Sequence, residues 1–218
     1  MALKYRTATP IGLRVSLSLL LFVLTSLWLS PNYALALDNT ASLPTLADFL
    51  EIVQNGHKDD IRGVYVDSVL ALPVVPQPAG KTTYVSNRDG EVTQFGLASQ
   101  YGNIGLLAHN HKAGQSFSKL TLGQEVQLIY GDGEVVTFVI RTVLQFQALE
   151  PTSPFSSFKN LDKDETLTAE QMFQRAYAGR YHLTFQTCIA ADGKLSWGRL
   201  FVMAVPKKTA QIRPQQGR

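Results

Sequence analysis

Between residues 61 and 206 the chain is a succession of short apolar runs separated by turn residues. One pair of runs flanks Gly131-Asp132-Gly133 and another flanks the turn at residues 191–194, so both pairs predict β-hairpins. We count seven or eight such runs, a pattern typical of a closed or nearly closed β-barrel. The runs do not alternate with long helices and no glycine-rich phosphate loop follows a run, which argues against doubly wound nucleotide-binding folds.

Short helices and one further strand are predicted around these hairpins. Apolar residues at helical spacing between residues 46 and 53 predict a short helix. Residues 82–86 are predicted to form a strand. Inside the long interruption at residues 151–179, Thr168 and Gln171 fit a capping box that starts a second helix. An interruption of this length between two core strands is either a functional lid or wall, or a packing insertion.

The first 36 residues have the layout of an export signal. Three basic residues precede an apolar stretch at residues 15–29, and a small-x-small cleavage pattern stands at residues 34–36. The apolar stretch is shorter than the roughly 20 residues that a spanning helix needs, which favours a cleaved signal peptide over an uncleaved anchor. Both interpretations place the remaining chain outside the cytoplasm, in the cell envelope, the periplasm or the medium, and the anchor would add membrane association.

Four parts are therefore predicted: a signal segment (1–36), a helical lead-in (37–60), a barrel domain (61–206) and a basic flexible tail (207–218). Residues 37–206 carry 13 basic and 17 acidic side chains, so the net charge of +3 arises from the two ends of the chain. A nucleic-acid-binding domain normally has a basic body. The charge distribution argues against nucleic acid as a partner.

The chain has one cysteine, Cys188, which follows an apolar run at residues 182–187. Exported proteins use cysteines in disulfide pairs. An unpaired thiol is a reactive group, an intermolecular link or an inert buried side chain. The predicted hairpin would put Cys188 at a strand end and Arg199 at the start of the next strand, so the thiol and the guanidinium could face one pocket.

A thiol acyl-transfer enzyme needs a thiolate, a proton shuttle and a donor for the oxyanion. Cys188 could supply the first and His109 or His111 the second. Arg199 could supply the third, because a guanidinium stays charged and holds its donors in a fixed plane. Other interpretations are a surface cation for Arg199 and metal ligation by the two histidines, although no motif for a further ligand accompanies them. His182 would lie about 20 Å from the thiol along an extended strand, which favours a structural role.

Three motifs together resemble those of the sortase family. Thr-Phe-Gln-Thr-Cys at residues 184–188 is similar to the sortase signature Thr-Leu-x-Thr-Cys, Arg199 precedes an apolar strand, and His109 follows one. The order of histidine, cysteine and arginine is that of the family. The chain departs from the family pattern at Ala108, where glycine is usual, and at Phe185, where leucine is usual. Some members also have one more residue between the arginine and the strand.

The resemblance, which covers residues 61–206, implies an eight-stranded sortase-type barrel, mainly β with short helices, and the activity of a cysteine transpeptidase or peptidase. Cys188 would form an acyl-enzyme with the sorting signal of another exported protein. His109 would protonate the leaving amine, Arg199 would hold the substrate and the oxyanion, and Thr187 would contact the substrate. An amine or water would then release the acyl group. We expect no cofactor and no metal.

Two alternatives to this enzyme stay open. One is a sortase-like envelope barrel that binds peptides without turnover. The other is a metal-binding or structural envelope protein built around His109 and His111. The resemblance also implies that residues 151–179 are the loop between the sixth and seventh strands of the barrel, where they form one wall of the substrate groove.

Overall fold

The structure, a computed structural model, describes residues 43–208. The predicted signal segment at residues 1–36 lies outside the described residues, as does most of the predicted tail, from residue 209 onward. Within the described range, no helix has both the length and the apolar character needed to cross a bilayer.

Short helices and β-strands alternate irregularly along the described chain, which is mainly β, as predicted. The helices are α1 (Leu46–Val53), α2 (Gly96–Gln100), a 3₁₀ helix (Ala113–Lys119) and α3 (Ala169–Tyr177). The strands are β1 (Ile61–Val66), β2 (Leu70–Pro76), β3 (Val92–Gln94), β4 (Ile104–Leu107), β5 (Glu125–Tyr130), β6 (Val135–Ala148), β7 (Phe158–Asn160), β8 (Thr166–Leu167), β9 (Leu183–Ala191) and β10 (Lys194–Pro206).

Eight of these strands close into a barrel. Their hydrogen-bonded order is β10-β9-β4-β3-β2-β1-β5-β6, and pairing of β6 with β10 completes the ring. The β2–β3 and β4–β9 pairs are parallel, and the other pairs of the ring are antiparallel. The short strands β7 and β8 extend from β6 outside the ring. The predicted eight-stranded barrel is confirmed.

Both predicted hairpins are present. The β5–β6 turn contains Gly133 with φ of +90°, a backbone conformation that glycine adopts without strain. In the β9–β10 turn, Asp192 and Gly193 have φ of +51° and +72°. Aspartate tolerates this left-handed region better than most side chains. The turn residues therefore explain why these strands fold back where they do.

Side chains from all eight ring strands meet inside the barrel. Leu106, Leu128, Phe138 and Phe185 are among the fully buried ones. On β9 and β10, inward and outward positions alternate, because successive side chains of a strand point to opposite faces. The inward positions of β10 are Leu200, Val202 and Ala204.

Two helices cover parts of the outer surface. Phe49 and Val53 of α1 pack against Tyr65 in a small separate cluster. The capping box predicted for α3 is confirmed: the Thr168 hydroxyl accepts from the Gln171 amide, and the Gln171 side chain accepts in return from the Thr168 amide. The apolar face of α3 packs on aromatic residues of β6 and β10.

The strand predicted at residues 82–86 is wrong. These residues belong to the β2–β3 loop, residues 77–91, which has no strand. The Gln77 side-chain amide donates to two carbonyl oxygens of the loop at 2.9 and 3.0 Å, and the Ser86 amide donates to the Thr93 hydroxyl at 2.8 Å. Side chains, rather than a neighbouring strand, satisfy these backbone groups.

Candidate active site

Cys188 and Arg199 are direct cross-strand partners in the antiparallel β9–β10 pair. Opposed residues in such a pair present their side chains on the same face of the sheet, with Cβ atoms about 4.5–5.5 Å apart. The neighbouring pair is Thr187 with Leu200, and Leu200 faces the barrel interior. Cys188 and Arg199 therefore lie on the outer side. The Cys188 thiol is free and half-buried.

His109 follows β4, the strand that pairs with the other edge of β9. The parallel register matches Leu107 with Gln186, and the hydrogen bonding continues one residue beyond the strand. Extended two residues past the end of β4, this register would match His109 with Cys188. Cys188 thus lies on the strand between the one that leads to His109 and the one that carries Arg199.

The Arg199 guanidinium is held by backbone carbonyl groups. Its Nη1 donates to the carbonyl oxygens of Ser196 and Gly198, both at 2.9 Å, and Nη2 lies 3.5 Å from that of Pro151. Carbonyl oxygens orient the group without cancelling its charge, and among residues 43–208 it forms no ion pair. The planar fork is therefore held in place with its positive charge available to an anion.

The His109 imidazole is half-buried and stacks on His111, with ring centroids 5.4 Å apart and planes 27° from parallel. Burial lowers the pKa of His109 below its ordinary value of 6.5, and the charges of His111 and Lys112 lower it further. A hydrogen bond with the Val85 backbone acts in the opposite direction. Because the net shift is downward, the imidazole is neutral near pH 7 and can take up a proton.

The backbone around His109 is held by close contacts. The Thr187 hydroxyl donates to the Ala108 carbonyl at 2.9 Å. The amides of Lys112 and Gly114 both donate to the His109 carbonyl, at 3.0 and 3.1 Å. A Cβ on Gly114 would lie 2.3 Å from the Thr187 hydroxyl oxygen and 2.7 Å from the His109 carbonyl oxygen. Only glycine fits here without moving the histidine.

Thr187, the predicted substrate contact, is buried, with 5% of its surface exposed. Its hydroxyl is engaged by the Ala108 carbonyl. It lines a cavity of about 350 Å³ at the mouth of the barrel, together with Cys188, Asn110 and Gln145. We call this cavity the barrel-mouth pocket. The contact between Thr187 and substrate stays a prediction, and this pocket is where it would occur.

A second cavity, of about 410 Å³, lies on the outer side of the barrel and is named here the aromatic groove. Gln186, Arg199 and Phe201 line it from β9 and β10. The β2–β3 loop contributes Thr82, Thr83 and Val85. Phe95 and Leu107 line it beside β3 and β4. The 151–179 segment forms the other wall, with Ser153, Pro154, Phe158, Ala169, Met172, Phe173 and Tyr177. Among the described lining residues, Arg199 is the only one with a charge.

The two cavities divide the predicted catalytic residues. Cys188 lines the barrel-mouth pocket and Arg199 lines the aromatic groove, although the two residues are cross-strand partners. The expectation that one pocket would hold both is therefore not met. The cavities lie on either side of this pair, and neither has His109 among its lining residues in the described part of the chain.

The other histidines lie in different settings. His111 is exposed. His182 is buried, with Nδ1 2.7 Å from the Arg180 carbonyl oxygen and Nε2 2.9 Å from that of Ala176, in keeping with a structural role. Across residues 43–208, no three or more His, Cys, Asp or Glu side chains group closely enough to hold a metal ion.

Three residues of the site were missed from sequence. Gln186 shares the outer face with Cys188, and its side-chain oxygen accepts a hydrogen bond from the buried Tyr177 hydroxyl. Strand alternation could have identified Gln186, because it precedes Cys188 by two positions. The contacts of Val85 and Gly114 with His109 depend on loop conformation, and the sequence carries no local signal for them.

Comparisons with known proteins return sortases among the solved structures. No family model matches the sequence, and no curated protein sequence matches it. Listeria monocytogenes sortase A is 14% identical, with 68% of this chain and 87% of that chain covered and a TM-score of 0.43. A sortase transpeptidase of Clostridium perfringens is 13% identical, with coverages of 74% and 86% and a TM-score of 0.44. Actinomyces oris sortase C-1 is 12% identical, with coverages of 77% and 83% and a TM-score of 0.46.

The structures to which this chain is similar are thus members of the family that the sequence motifs resemble. Likenesses of this degree say nothing of the chemistry of this chain. The chemistry has to come from the side chains of this chain.

Proposed function

We propose that this chain is a sortase-like cysteine transpeptidase or peptidase that acts on a sorting signal in other exported proteins. The register of three neighbouring strands supports this most. Cys188 has Arg199 as its partner on β10, and the β4–β9 register leads to His109 on the other side. A thiol flanked by an imidazole and a fixed cation is the combination that acyl transfer requires.

In the first half-reaction the Cys188 sulfur attacks a backbone carbonyl carbon of the bound peptide, and the thiol proton passes to His109. The negative charge that develops on the carbonyl oxygen is stabilised by the Arg199 guanidinium. The C–N bond then breaks as the imidazolium returns its proton to the leaving amine. The acyl group stays on the sulfur as a thioester.

In the second half-reaction an amine or a water molecule attacks the thioester carbonyl. His109, again neutral, accepts the proton of the nucleophile. The C–S bond then breaks as the new amide or acid forms, and the leaving sulfur takes the proton back from the imidazolium. The lowered pKa of His109 supports this role, because a base must be unprotonated near neutral pH when the nucleophile arrives.

The aromatic groove supports a peptide as the substrate. Phe173, Tyr177 and Phe201 give it an apolar lining. Gln186, two residues before Cys188, and Arg199, its cross-strand partner, add polar groups. Ligand sites typically combine apolar walls with a few such orienting groups. A sorting signal with bulky apolar side chains before the scissile bond fits this lining.

The domain organisation and location are part of the same proposal. Residues 1–36 would direct export, either as a cleaved signal peptide or as an anchor to the membrane. Residues 37–60 would form the lead-in, residues 61–206 the catalytic domain and residues 207–218 the basic tail. The protein would then meet its peptide substrates in the extracytoplasmic space.

The experiment that tests the activity compares the protein with Cys188→Ala. Both are mixed with a pool of fluorescent peptides and with hydroxylamine as acceptor, and the intact protein mass and peptide hydroxamates are measured. We expect a thioester adduct and hydroxamates from the unchanged protein and neither from the folded variant. Equal product from both proteins would refute the proposal. Equal peptide binding with no product from either would identify a peptide-binding barrel instead.

Arg199→Lys probes the oxyanion role. Lysine keeps the charge but loses the planar fork that Ser196 and Gly198 hold in place. Loss of an oxyanion donor typically lowers kcat by about 10²–10³-fold. We expect a loss in this range, with circular dichroism showing that the fold is retained. Full activity of Arg199→Lys would contradict this role.

A further inference from the structure

A buried phenol holds the side-chain amide of Gln186 at the wall of the aromatic groove. The Tyr177 hydroxyl donates to the Gln186 side-chain oxygen, and both residues line the groove. Within residues 43–208 this oxygen is the only hydrogen-bond partner of the hydroxyl. Burial raises the pKa of Tyr177 far above its ordinary value of 10.0, so the phenol keeps its proton. Because a buried hydroxyl needs an acceptor, the oxygen end of the Gln186 amide is the end that faces Tyr177.

Tyr177 can orient this amide because its own place is fixed by the core. Ala176 and Tyr177 end α3, where helix carbonyls lack partners within the helix. The Thr184 hydroxyl donates to the Ala176 carbonyl at 2.7 Å, and the Asn103 side-chain amide donates to the Tyr177 carbonyl at 2.9 Å. Both donors are buried. The ring of Phe95 also packs edge-on to that of Tyr177, with centroids 5.1 Å apart.

The nitrogen end of the Gln186 amide is left for a ligand. A carboxamide has one acceptor oxygen and two N–H donors. The oxygen is engaged by Tyr177, whereas the nitrogen has no hydrogen-bond partner in the part of the chain that the structure describes. Gln186 is half-buried and lines the groove, so its N–H groups are accessible from there. This position can therefore donate to a bound molecule, and its acceptor is already in use.

The spacing along β9 relates this donor to the thiol. Gln186 precedes Cys188 by two positions, so the two side chains share the outer face of the strand. Two residues of a strand span about 7 Å. A peptide bound in extended form along β9 has the same rise, which brings a backbone carbonyl two residues before the scissile bond level with Gln186. A backbone carbonyl oxygen only accepts hydrogen bonds, and it therefore complements the free N–H groups.

We propose that Gln186 is a substrate-binding residue whose side-chain amide, oriented by the Tyr177 hydroxyl, donates to a backbone carbonyl of the peptide two residues before the scissile bond. The place of the scissile bond rests on the proposed function, since Cys188 defines it. Gln186 would contact the substrate backbone and set its register along β9, whatever side chain the peptide carries there. Tyr177 acts through Gln186 and is a positioning residue for this contact.

The test measures peptide binding by the full chain with Cys188→Ala, which can hold a peptide without cleaving it. The probe is the fluorescent peptide that binds this protein most tightly, chosen from the pool used in the activity test. Its analogues carry sulfur in place of one backbone carbonyl oxygen at a time, because a thioamide is a weaker hydrogen-bond acceptor. We expect a single analogue to bind more weakly by about 2- to 10-fold, the range of one hydrogen bond between neutral groups.

Three variants, each made with Cys188→Ala, assign that loss to the Gln186 amide. Gln186→Met removes both polar groups and keeps the length of the side chain, whereas Gln186→Glu keeps an acceptor for Tyr177 and has no N–H. In both we expect the unmodified peptide to bind more weakly and the penalty for the single analogue to disappear. The loss should be larger for glutamate, since its carboxylate repels the carbonyl oxygen. In Tyr177→Phe the amide can turn, so the penalty should shrink.

The matched control is Gln174→Met, the same change on the exposed side of α3, which should leave both values unchanged. Circular dichroism confirms the fold of each variant. A general loss of stability would weaken all the peptides alike, whereas the proposed contact affects one carbonyl only.

An undiminished penalty for the same analogue in folded Gln186→Met would overturn the role of Gln186, and an undiminished penalty in Tyr177→Phe would overturn that of Tyr177. Failure of every peptide to bind the Cys188→Ala protein would overturn both. The cysteine chemistry is decided separately, by the thioester and hydroxamates that the unchanged protein forms. A barrel that binds peptides without turnover would still show the penalty, so failure of the proposed function does not hide the answer.

Discussion

The inner and outer faces of β9 differ in composition and in packing. Leu183 and Phe185 on the inner face have no exposed surface. Gln186 and Cys188 on the outer face are half-buried and border a cavity. Residues that alternate along β9 therefore differ in role. The inner-face side chains fill the barrel core, and the outer-face side chains are accessible to a ligand. Substitutions one position apart should separate stability from chemistry.

Thr187 is the exception on the inner face. It is polar, yet its hydroxyl bridges to Ala108, one residue before His109. A buried polar group is tolerated where it is hydrogen-bonded. This inner-face hydrogen bond thus fixes the backbone at the end of β4 against β9, next to Cys188.

The largest expected effect separates the two stacked histidines. His109→Ala should lower kcat/KM by about 10²–10⁴-fold, the usual contribution of a general acid–base group. His111→Ala should only weaken activity, because His111 is exposed and lies in the turn after His109, two residues further from the end of β4. Steady-state kinetics on a cleavable peptide, with circular dichroism as the folding control, gives both values. Equal losses in the two variants would contradict this assignment.

The next prediction compares adjacent residues of β9. Phe185 is fully buried and packs edge-on to Phe117, with ring centroids 5.0 Å apart. Phe185→Ala should lower the free energy of unfolding by about 3–5 kcal/mol, as such core truncations do. Gln186→Ala should cost much less stability and reduce peptide turnover. Urea denaturation of both variants measures the difference. A similar loss of stability in the two would show that the faces are not separate.

Gly114→Ala tests whether the close backbone contact between Gly114 and His109 positions the histidine. The added methyl group meets the Thr187 hydroxyl and the His109 carbonyl. We expect a stability loss of about 1–3 kcal/mol, typical of overpacking, and a fall in kcat from displacement of the imidazole. Gly96→Ala is the comparison, because Gly96 likewise has no positive φ and its Cβ would meet only the end of the Gln77 side chain, at 3.5 Å. Full activity of Gly114→Ala would argue against tight placement of His109.

The smallest effect concerns pH. The His109 pKa is lowered in the folded chain, partly by His111. His111→Gln should therefore raise it towards the ordinary value of 6.5 and move the acidic limb of kcat/KM to higher pH. A lowered histidine pKa contributes stability that is present above the unfolded pKa and is lost as pH falls through the folded pKa. The variant should thus lose less stability on acidification from pH 7, as measured by thermal denaturation. A limb that moves to lower pH would contradict the role of His111.

Local sequence patterns predicted the parts of the fold that depend on local geometry. The β9–β10 turn residues predict the hairpin, and the α3 cap needs only Thr168 and Gln171. The opposition of Cys188 and Arg199 also needs the register shift between Lys194 and Gly198, which the turn does not encode. The proposed proximity of His109 to Cys188 depends instead on the β4–β9 pairing, which no local pattern encodes. It entered through resemblance to a family.

The incorrect strand in the β2–β3 loop has a physical cause. Tyr84 and Val85 favour extended backbone, which is the property that sequence patterns detect. In the fold, the Gln77 side-chain amide donates to the carbonyl of Tyr84. This side-chain bond takes the place of the backbone hydrogen bond that a neighbouring strand would supply. Which backbone groups the Gln77 side-chain amide bonds depends on tertiary structure, and local sequence patterns do not encode it. The contact of Thr187 with substrate, which was predicted from its place next to Cys188, stays a prediction, and both residues line the barrel-mouth pocket.

The parallel pairing of β4 with β9 joins segments 79 residues apart, as the bond between Thr187 and Ala108 measures. Such distant contacts form late, because a long loop must close before they can. A partly folded chain would carry the Cys188 thiol without an imidazole beside it. The thiol would have no imidazole to take its proton until the eight-stranded barrel has closed. In a chain exported before folding, the proposed catalyst would first come into existence beyond the membrane, among its substrates.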